Sequence, residues 1–354
     1  MRIDLHTQFD DVAAPAWQAL LDAAADCTVF QQRAWLQAWW DTQRQPGWTL
    51  HLLAVRDSGE LVGLAPLYER AGRFGGRELR LLGEGQSDYL TFAVRRDFPQ
   101  ALHNLLAALA ARIDGGCNAV LGDIPEGSLL QQALQQHIAR QAGEPQLALH
   151  ATQRTPCPRL SLDADGAALA AVLRKQSLRR HARALATLGP LDVAHHDSSD
   201  GILPLLPQFF ALHIDRWQDS PTPSQFVHRS CRQLYETAVR TLPEGTVWLT
   251  TVRAGSRLAA AHLGLRHHAS LIWYIPAHER ALSRQGPGEV LLQAVLQRAQ
   301  SQGLRQLDFA RGDEPYKRRF ADHTAWTSGY EWISDHWLAR GRQRLRLAAR
   351  RLRG

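Results

Sequence analysis

The chain has 354 residues, 45% of them hydrophobic and 21% charged, with 41 basic residues against 34 acidic ones and four cysteines. This composition suits a folded protein with two cores of roughly 150 residues each and excludes a disordered chain. No apolar run approaches the ~18 residues that span a bilayer. No apolar segment follows the basic start as a secretory leader requires. Cys27, Cys117, Cys157 and Cys231 are too scattered for a zinc site or a disulfide framework. A cytoplasmic protein without a metal is expected.

The excess positive charge is local. Residues 338–354 hold seven arginines (Arg340, Arg342, Arg344, Arg346, Arg350, Arg351 and Arg353) and no acid, and the rest of the chain carries 34 basic and 34 acidic residues. A neutral body lacks the broad basic footprint that DNA binding needs, so no DNA partner is expected. In the tail, Leu338, Leu345, Leu347 and Leu352 alternate with the arginines. That pattern suits an anionic membrane surface, which would put the protein peripherally at the inner membrane, or an RNA, or an ordinary solvated helix. Only two of the 41 basic residues are lysines, Lys175 and Lys317, and both fall in segments singled out below.

In chain order, Gln31–Gln43 carries Trp35, Leu36, Trp39 and Trp40 at helical spacing, a core pattern more than a sugar-stacking platform. Leu52–Asp57, a polar turn and Leu61–Tyr68 predict a strand hairpin. A helix over Leu102–Arg112 and a strand over Asn118–Leu121 follow. The stretch Gly143–Pro158, with Pro145, Pro156 and Pro158, marks a join between domains. Ala167–Leu188 places Leu169, Val172, Leu173, Leu178, Leu185 and Leu188 on one helical stripe, and segments 203–218 and 224–242 are helical as well. Leu249–Leu258 then echoes Leu52–Leu61 at a constant offset, so the hairpin returns. A strand Ser270–Ile275, a helix Val290–Gln302 and a strand Arg305–Phe309 complete the second set. Duplicated α/β units are expected: domains 1–155 and 156–337, then the tail 338–354.

Three segments have the residues for chemistry. The first, Ser283–Leu292, runs from a strand into a helix through Gln285, Gly286, Pro287, Gly288 and Glu289. Free amides at a helix start, with the helix dipole behind them, bind phosphate oxygens. The second, Leu307–Phe320, leaves a strand and packs Asp308, Arg311, Asp313, Glu314, Tyr316 and Lys317 into one loop. Here the carboxylates are candidate bases, while Tyr316 and Lys317 are candidate proton donors or anion ligands. In the third, Lys175, Arg179 and Arg183 form a row on a helix with no acid between 167 and 188, an anion-binding face or a solvated one. The adjacent pairs His195-His196 and His267-His268 read as strand neighbours pointing to opposite faces, which argues against a metal site.

Taken in order, Phe30–Trp40, Leu79–Leu90, the basic helix at Lys175–Arg183 and Arg311-Gly312-Asp313-Glu314-Pro315-Tyr316-Lys317 make residues 30–335 resemble the CelD and FemAB-like branch of the GNAT superfamily. The resemblance implies an α/β fold of two tandem GNAT-like domains, each a mixed, mostly antiparallel sheet flanked by helices, with the first degenerate. It also implies an acyl donor held at Gln285, Gly286, Gly288 and Glu289, with Lys317 as a further donor ligand. Gln285–Val290 departs from the family's Arg/Gln-x-x-Gly-x-Gly/Ala pattern by ending in Val290.

The expected activity is acyl transfer from acyl-CoA, acetyl-CoA first, to an amine or sugar hydroxyl of a small-molecule or saccharide acceptor in envelope or exopolysaccharide metabolism. Asp313, then Asp308, would be the base and Tyr316 the acid. Amides of the splayed central strand would polarise the thioester carbonyl, and Lys175, Arg179, Arg183 and Arg311 would hold anionic groups. Two alternatives stay open: an aminoacyl-tRNA-dependent amide-forming transferase, and a non-catalytic partner of a polysaccharide-synthesis complex.

Overall fold

The computed structural model describes residues 1–72, 76–140, 149–162 and 167–334, together with Gly341 and Ala348. Apart from those last two, the Arg-rich tail lies outside the described residues, as do the membrane and RNA expectations that rest on it.

The strands and helices are, in chain order, β1 (Arg2–His6), α1 (Ala14–Ala23), α2 (Arg33–Gln43), β2 (Thr49–Asp57), β3 (Glu60–Ala71), β4 (Arg77–Leu81), β5 (Ala93–Val94), α3 (Gln100–Asp114), β6 (Cys117–Pro125), α4 (Leu129–Arg140) and β7 (Leu149–Ser161). There follow α5 (Ala167–Leu173), α6 (Gln176–Ala186), β8 (Leu191–His196), α7 (Ser199–Ile202), α8 (Leu206–Arg216), α9 (Arg229–Thr241), β9 (Val247–Ala254), β10 (Arg257–His267), β11 (Ser270–His278), α10 (Pro287–Ser301), β12 (Gln306–Asp308), α11 (Pro315–Phe320) and β13 (His323–Trp332). None of the described helices is long and apolar enough to cross a membrane.

The chain forms two compact units. One comprises Met1–Thr155 and the strand residues from Trp326 onward, the other Pro156–Ala325. Residues 326–334, which the sequence reading gave to the second domain, thus belong to the first unit, because β13 pairs with β6 there from Thr327↔Pro125 to Trp332↔Ala119.

The first unit has strand order β1-β2-β3-β4-β6-β13-β7, with β5 on β3. Antiparallel pairing prevails, but β4 and β6 run parallel, joined through α3. Leu102, Leu105, Leu109 and Ile113 of α3 are buried in the core with Leu67, Leu79 and Leu121. The tryptophans of α2 are core residues: Trp35, Trp39 and Trp40 are buried, and two of them satisfy their indole N–H groups on Ser87 Oγ at 2.9 Å and Gln86 Oε1 at 2.7 Å.

The second unit has the order β7-β12-β11-β10-β9-β8. Again two hairpin-linked strands and a third precede a helix, α10, which returns the chain to a parallel strand, β12. The repeat seen in the sequence is therefore this shared hairpin. On one face, α10 and α6 bury Leu178, Leu185, Leu291 and Val295 against Leu271 and Trp273. Burying each leucine contributes about 1.5–3 kcal/mol and fixes α6 to the sheet. On the other face, α8, α9 and the turn between them bring a cluster of Phe209, Phe210, Phe226 and Tyr235 to Tyr274.

Three sequence expectations need correcting. The helix drawn over 167–188 breaks at Arg174–Lys175, where Lys175 is extended and caps α6. Its ammonium donates to the Arg319 carbonyl at 2.8 Å and lies over the Phe320 ring, and the chain turns aside to meet them. The join expected over Gly143–Pro158 does contain the division between the units, after Thr155, but its described part, residues 149–158, is strand. Pro156 and Pro158 lack N–H groups, yet their carbonyls accept from Gly312 and Phe309, each at 2.9 Å. His267 and His268 do not splay to opposite faces; His268 has φ 51° in a turn, and the two rings sit 4.1 Å apart.

Candidate active site

The second unit opens where β11 leaves β12. The two strands pair only over Ser270–Ile272 and Gln306–Asp308. β11 continues beside β10 to His278, whereas the chain after Asp308 stays with β7. At the parting point β11 carries a bulge: Leu263 faces Ile275 and Leu265 faces Ile272, so Gly264 stands opposite both Trp273 and Tyr274. The extra residue costs Tyr274 its regular strand partner, and its N–H donates instead to Nε2 of His262 at 3.2 Å. Pro276 has no N–H. Of the strand amides expected to polarise a carbonyl, those two are therefore ruled out.

Tyr316, on α11, reaches this point. The Trp273 indole N–H donates to its hydroxyl oxygen at 3.3 Å. Burial pushes the Tyr316 pKa well above the ordinary phenol value, although the bond from Trp273 pulls the other way. Near neutrality the hydroxyl keeps its proton, which it can give while its oxygen accepts from Trp273.

The carboxylates expected as bases differ. Asp308 is buried and fully engaged, accepting from Arg159 Nε at 2.9 Å and from the Ala310 N–H at 2.8 Å. It shapes the exit from β12, where Ala310 has φ 58°, and each of its oxygens is held by one of these partners, so Asp313 is preferred to it as the base. Asp313 lies on the surface, its side chain 50% exposed, in an ion pair with Arg318 that is itself exposed.

Lys317 is also reassigned. Its side chain is only 5% exposed, and the ammonium donates to the Arg311 carbonyl at 2.6 Å and pairs with Glu314 at 2.9 Å. Closing the loop from Arg311 to α11 takes two of its three donors and buries the ammonium, so it reads as a loop staple and not as a phosphate ligand. Arg311 contributes that carbonyl.

The turn before α10 has the expected shape and unexpected company. Gly286 is left-handed at φ 63°, and a Cβ on it would lie 2.4 Å from the His181 ring, so only glycine lets α6 pack this closely. His181 Nδ1 stands 3.2 Å from Glu289, whose other oxygen takes Arg319 at 2.8 Å. Burial would raise the Glu289 pKa, but the hydrogen bond from Ser177, with Arg319 and His181, outweighs it and holds the carboxyl below its usual range. Glu289 is therefore an anion at the positive end of α10 and ties α6, α10 and α11 together; it is no phosphate ligand. The Gln285 side-chain oxygen is buried with no partner among the described residues.

With Lys175 used as a cap, the basic row shortens to Arg179 and Arg183 of α6. Both are exposed, and no acid among the described residues pairs with either.

Several histidines were missed because histidine was weighed only as a metal ligand. His262 is fully buried and stacks on Trp273 with centroids 4.2 Å apart; burial holds its pKa at about 3. His278 ends β11 beside Ser283 Oγ at 3.4 Å, its pKa lowered to about 4 by burial and by Arg216. Among the described residues no group of three His, Cys, Asp or Glu could hold a metal ion. Strand periodicity could have flagged His262, since it alternates with Ala260 and Gly264 on β10.

A hairpin-linked antiparallel sheet, a bulged strand that parts from its parallel neighbour, and a helix beginning at a glycine turn between those strands define the fold of the GNAT acyltransferases. The comparisons agree. Residues 173–318 match the family model "Acetyltransferase (GNAT) domain", so this stretch is a GNAT-superfamily domain. Among solved structures, FemX superposes with a TM-score of 0.62 at 12% identity, over 94% of this chain and 97% of its own. A conserved protein of unknown function from Bacteroides thetaiotaomicron gives 0.57 at 9% identity over 94% and 100%. L-PGS from Bacillus licheniformis gives 0.54 at 9% over 92% and 93%. At such identities the likeness concerns the fold. No curated protein matches the sequence.

Proposed function

We propose that the second unit transfers an acyl group from an acyl-thioester, acyl-CoA, to an amine or sugar hydroxyl, with Tyr316 as the proton donor. The observation that carries this reading is the Tyr316 hydroxyl held by Trp273 at the point where β11 and β12 part. His278 lies five residues along the strand from Trp273, about 16 Å away, and α10 begins beside His278. A donor whose reacting carbonyl lies far from its phosphates fits that separation, with phosphates at Gly286–Gly288 and the thioester at Trp273.

In the step itself, the acceptor nitrogen or oxygen attacks the thioester carbonyl carbon and the C–S bond breaks. The departing thiolate takes the Tyr316 proton, and the acceptor's proton passes through water to Asp313, once Arg318 turns away. Solvent then reprotonates Tyr316. Arg179, Arg183 and Arg311 supply positive charge for the donor or an anionic acceptor, a saccharide of the cell envelope being the acceptor class favoured.

Thiol release from acetyl-CoA and longer acyl-CoAs, with amines and amino sugars as acceptors, tests the reading. Tyr316→Phe should lower kcat about a hundredfold or more with donor binding retained, and Asp313→Asn should also lower kcat. Wild-type silence with every thioester, together with turnover of aminoacyl-tRNA, would move the protein to the amide-forming alternative.

A further inference from the structure

A buried histidine that no chemical step uses requires an explanation. His262 stands on β10 with its ring parallel to that of Trp273 at 4.2 Å, and its Nε2 takes the N–H that the β11 bulge leaves over. An acceptor at Nε2 means that the proton of the neutral ring sits on Nδ1. The place is made for it: a Cβ on Gly264 would come within 2.6 Å of His262 Cε1 and within 3.2 Å of the Ile272 carbonyl, so any larger residue there would displace the imidazole. Trp273, gripped from below by this ring, presents its indole N–H to Tyr316 at 3.3 Å. The contacts thus run in one line from Gly264 through His262 and Trp273 to the Tyr316 hydroxyl.

We propose that His262 is a positioning residue for proton donation: it fixes the bulge and the indole of Trp273, and Trp273 in turn aims the Tyr316 hydroxyl at the leaving sulfur. This rests on the acyl-transfer reading for its kinetic consequence and on geometry alone for its structural one. A neutral ring suits the task. Burial lowers the His262 pKa to about 3 and keeps the ring uncharged near neutrality, so Nε2 stays an acceptor there. An aliphatic residue could fill the space but would leave the Tyr274 N–H buried without an acceptor.

Two measurements test the proposal. Kinetically, Trp273→Phe, His262→Leu and Gly264→Ala should each lower kcat with acyl-CoA about tenfold to a hundredfold. With an aryl thioester, whose thiolate leaves without help from an acid, kcat should stay near the wild-type value. His262→Gln, which offers an oxygen near the Nε2 position, should recover most of the loss. Equal losses with both thioesters, or none with acyl-CoA, would overturn the proposal while leaving acyl transfer intact. Independently of turnover, the Trp273 indole proton should shift and exchange faster with solvent in Tyr316→Phe and in His262→Leu. If no thioester is a substrate, that nuclear magnetic resonance result still decides: an unmoved indole signal in His262→Leu breaks the line of contacts.

Discussion

Replacing Lys317 by methionine keeps the length of the side chain and removes the ammonium. The hydrogen bond to the Arg311 carbonyl, 2.6 Å and charge-assisted, contributes about 1.5–3 kcal/mol. The pair with Glu314, a carboxylate 51% exposed and easily rehydrated, adds no more than about 1 kcal/mol. Recovered desolvation of the ammonium works against both, so a net loss of about 2–3 kcal/mol is expected from a total of roughly 5–15. Urea unfolding followed by tryptophan fluorescence, run beside calorimetric titration with coenzyme A, reads both quantities. A loop staple predicts the drop in stability with coenzyme A affinity changed less than about threefold. Unchanged stability with affinity down tenfold or more would return Lys317 to the phosphate ligands and refute this assignment.

Other predictions follow from the same contacts. Gly286→Ala should destabilise by at least about 1–2 kcal/mol through the left-handed backbone alone, and more through the His181 ring, and should loosen α6; thermal melting checks this, and a variant as stable as wild type would contradict it. Acid should weaken the second unit well above the carboxylate range. His213 and His262 titrate in the fold at about 4 and about 3, both lowered chiefly by burial, whereas the unfolded chain binds protons near 6.5. Their stabilisation is complete above about pH 6.5 and is lost as pH falls toward 4, on the order of 1.4 kcal/mol per unit for each group. Glu289, held below its usual range, adds a loss at still lower pH. Circular dichroism melts between pH 7 and 4.5 should show a falling midpoint, and a flat profile would count against the neutral buried histidines.

The hairpins, α10 and the succession of elements along the chain were legible because they depend on local signals: alternation, polar turns and a helical stripe of leucines. The glycine turn was legible for the same reason, since Gly286, Pro287 and Gly288 stand where a strand passes into a helix. What surrounds that turn was not. His181 and Glu289 are 108 residues apart, and nothing in either segment announces their pairing. Lys175 and Lys317 stood out by rarity, yet both ammonium groups are spent on backbone carbonyls, Arg319 and Arg311, contacts that composition cannot reveal. Pro156 and Pro158 marked the join between the units, but sequence hides the carbonyls by which that join is also strand. The bulge in β11, on which Tyr274, His262 and Trp273 depend, is a register shift between two strands and leaves no mark in either one alone.

The central claim is that a thioester reacts where β11 and β12 part, beneath Tyr316. A crystal structure with an unreactive thioether analogue of acyl-CoA tests it most directly. The account predicts the sulfur within hydrogen-bonding reach of the Tyr316 hydroxyl and the diphosphate against Gly286 and Gly288. A diphosphate bound elsewhere on the second unit, or a sulfur remote from Tyr316, would contradict it.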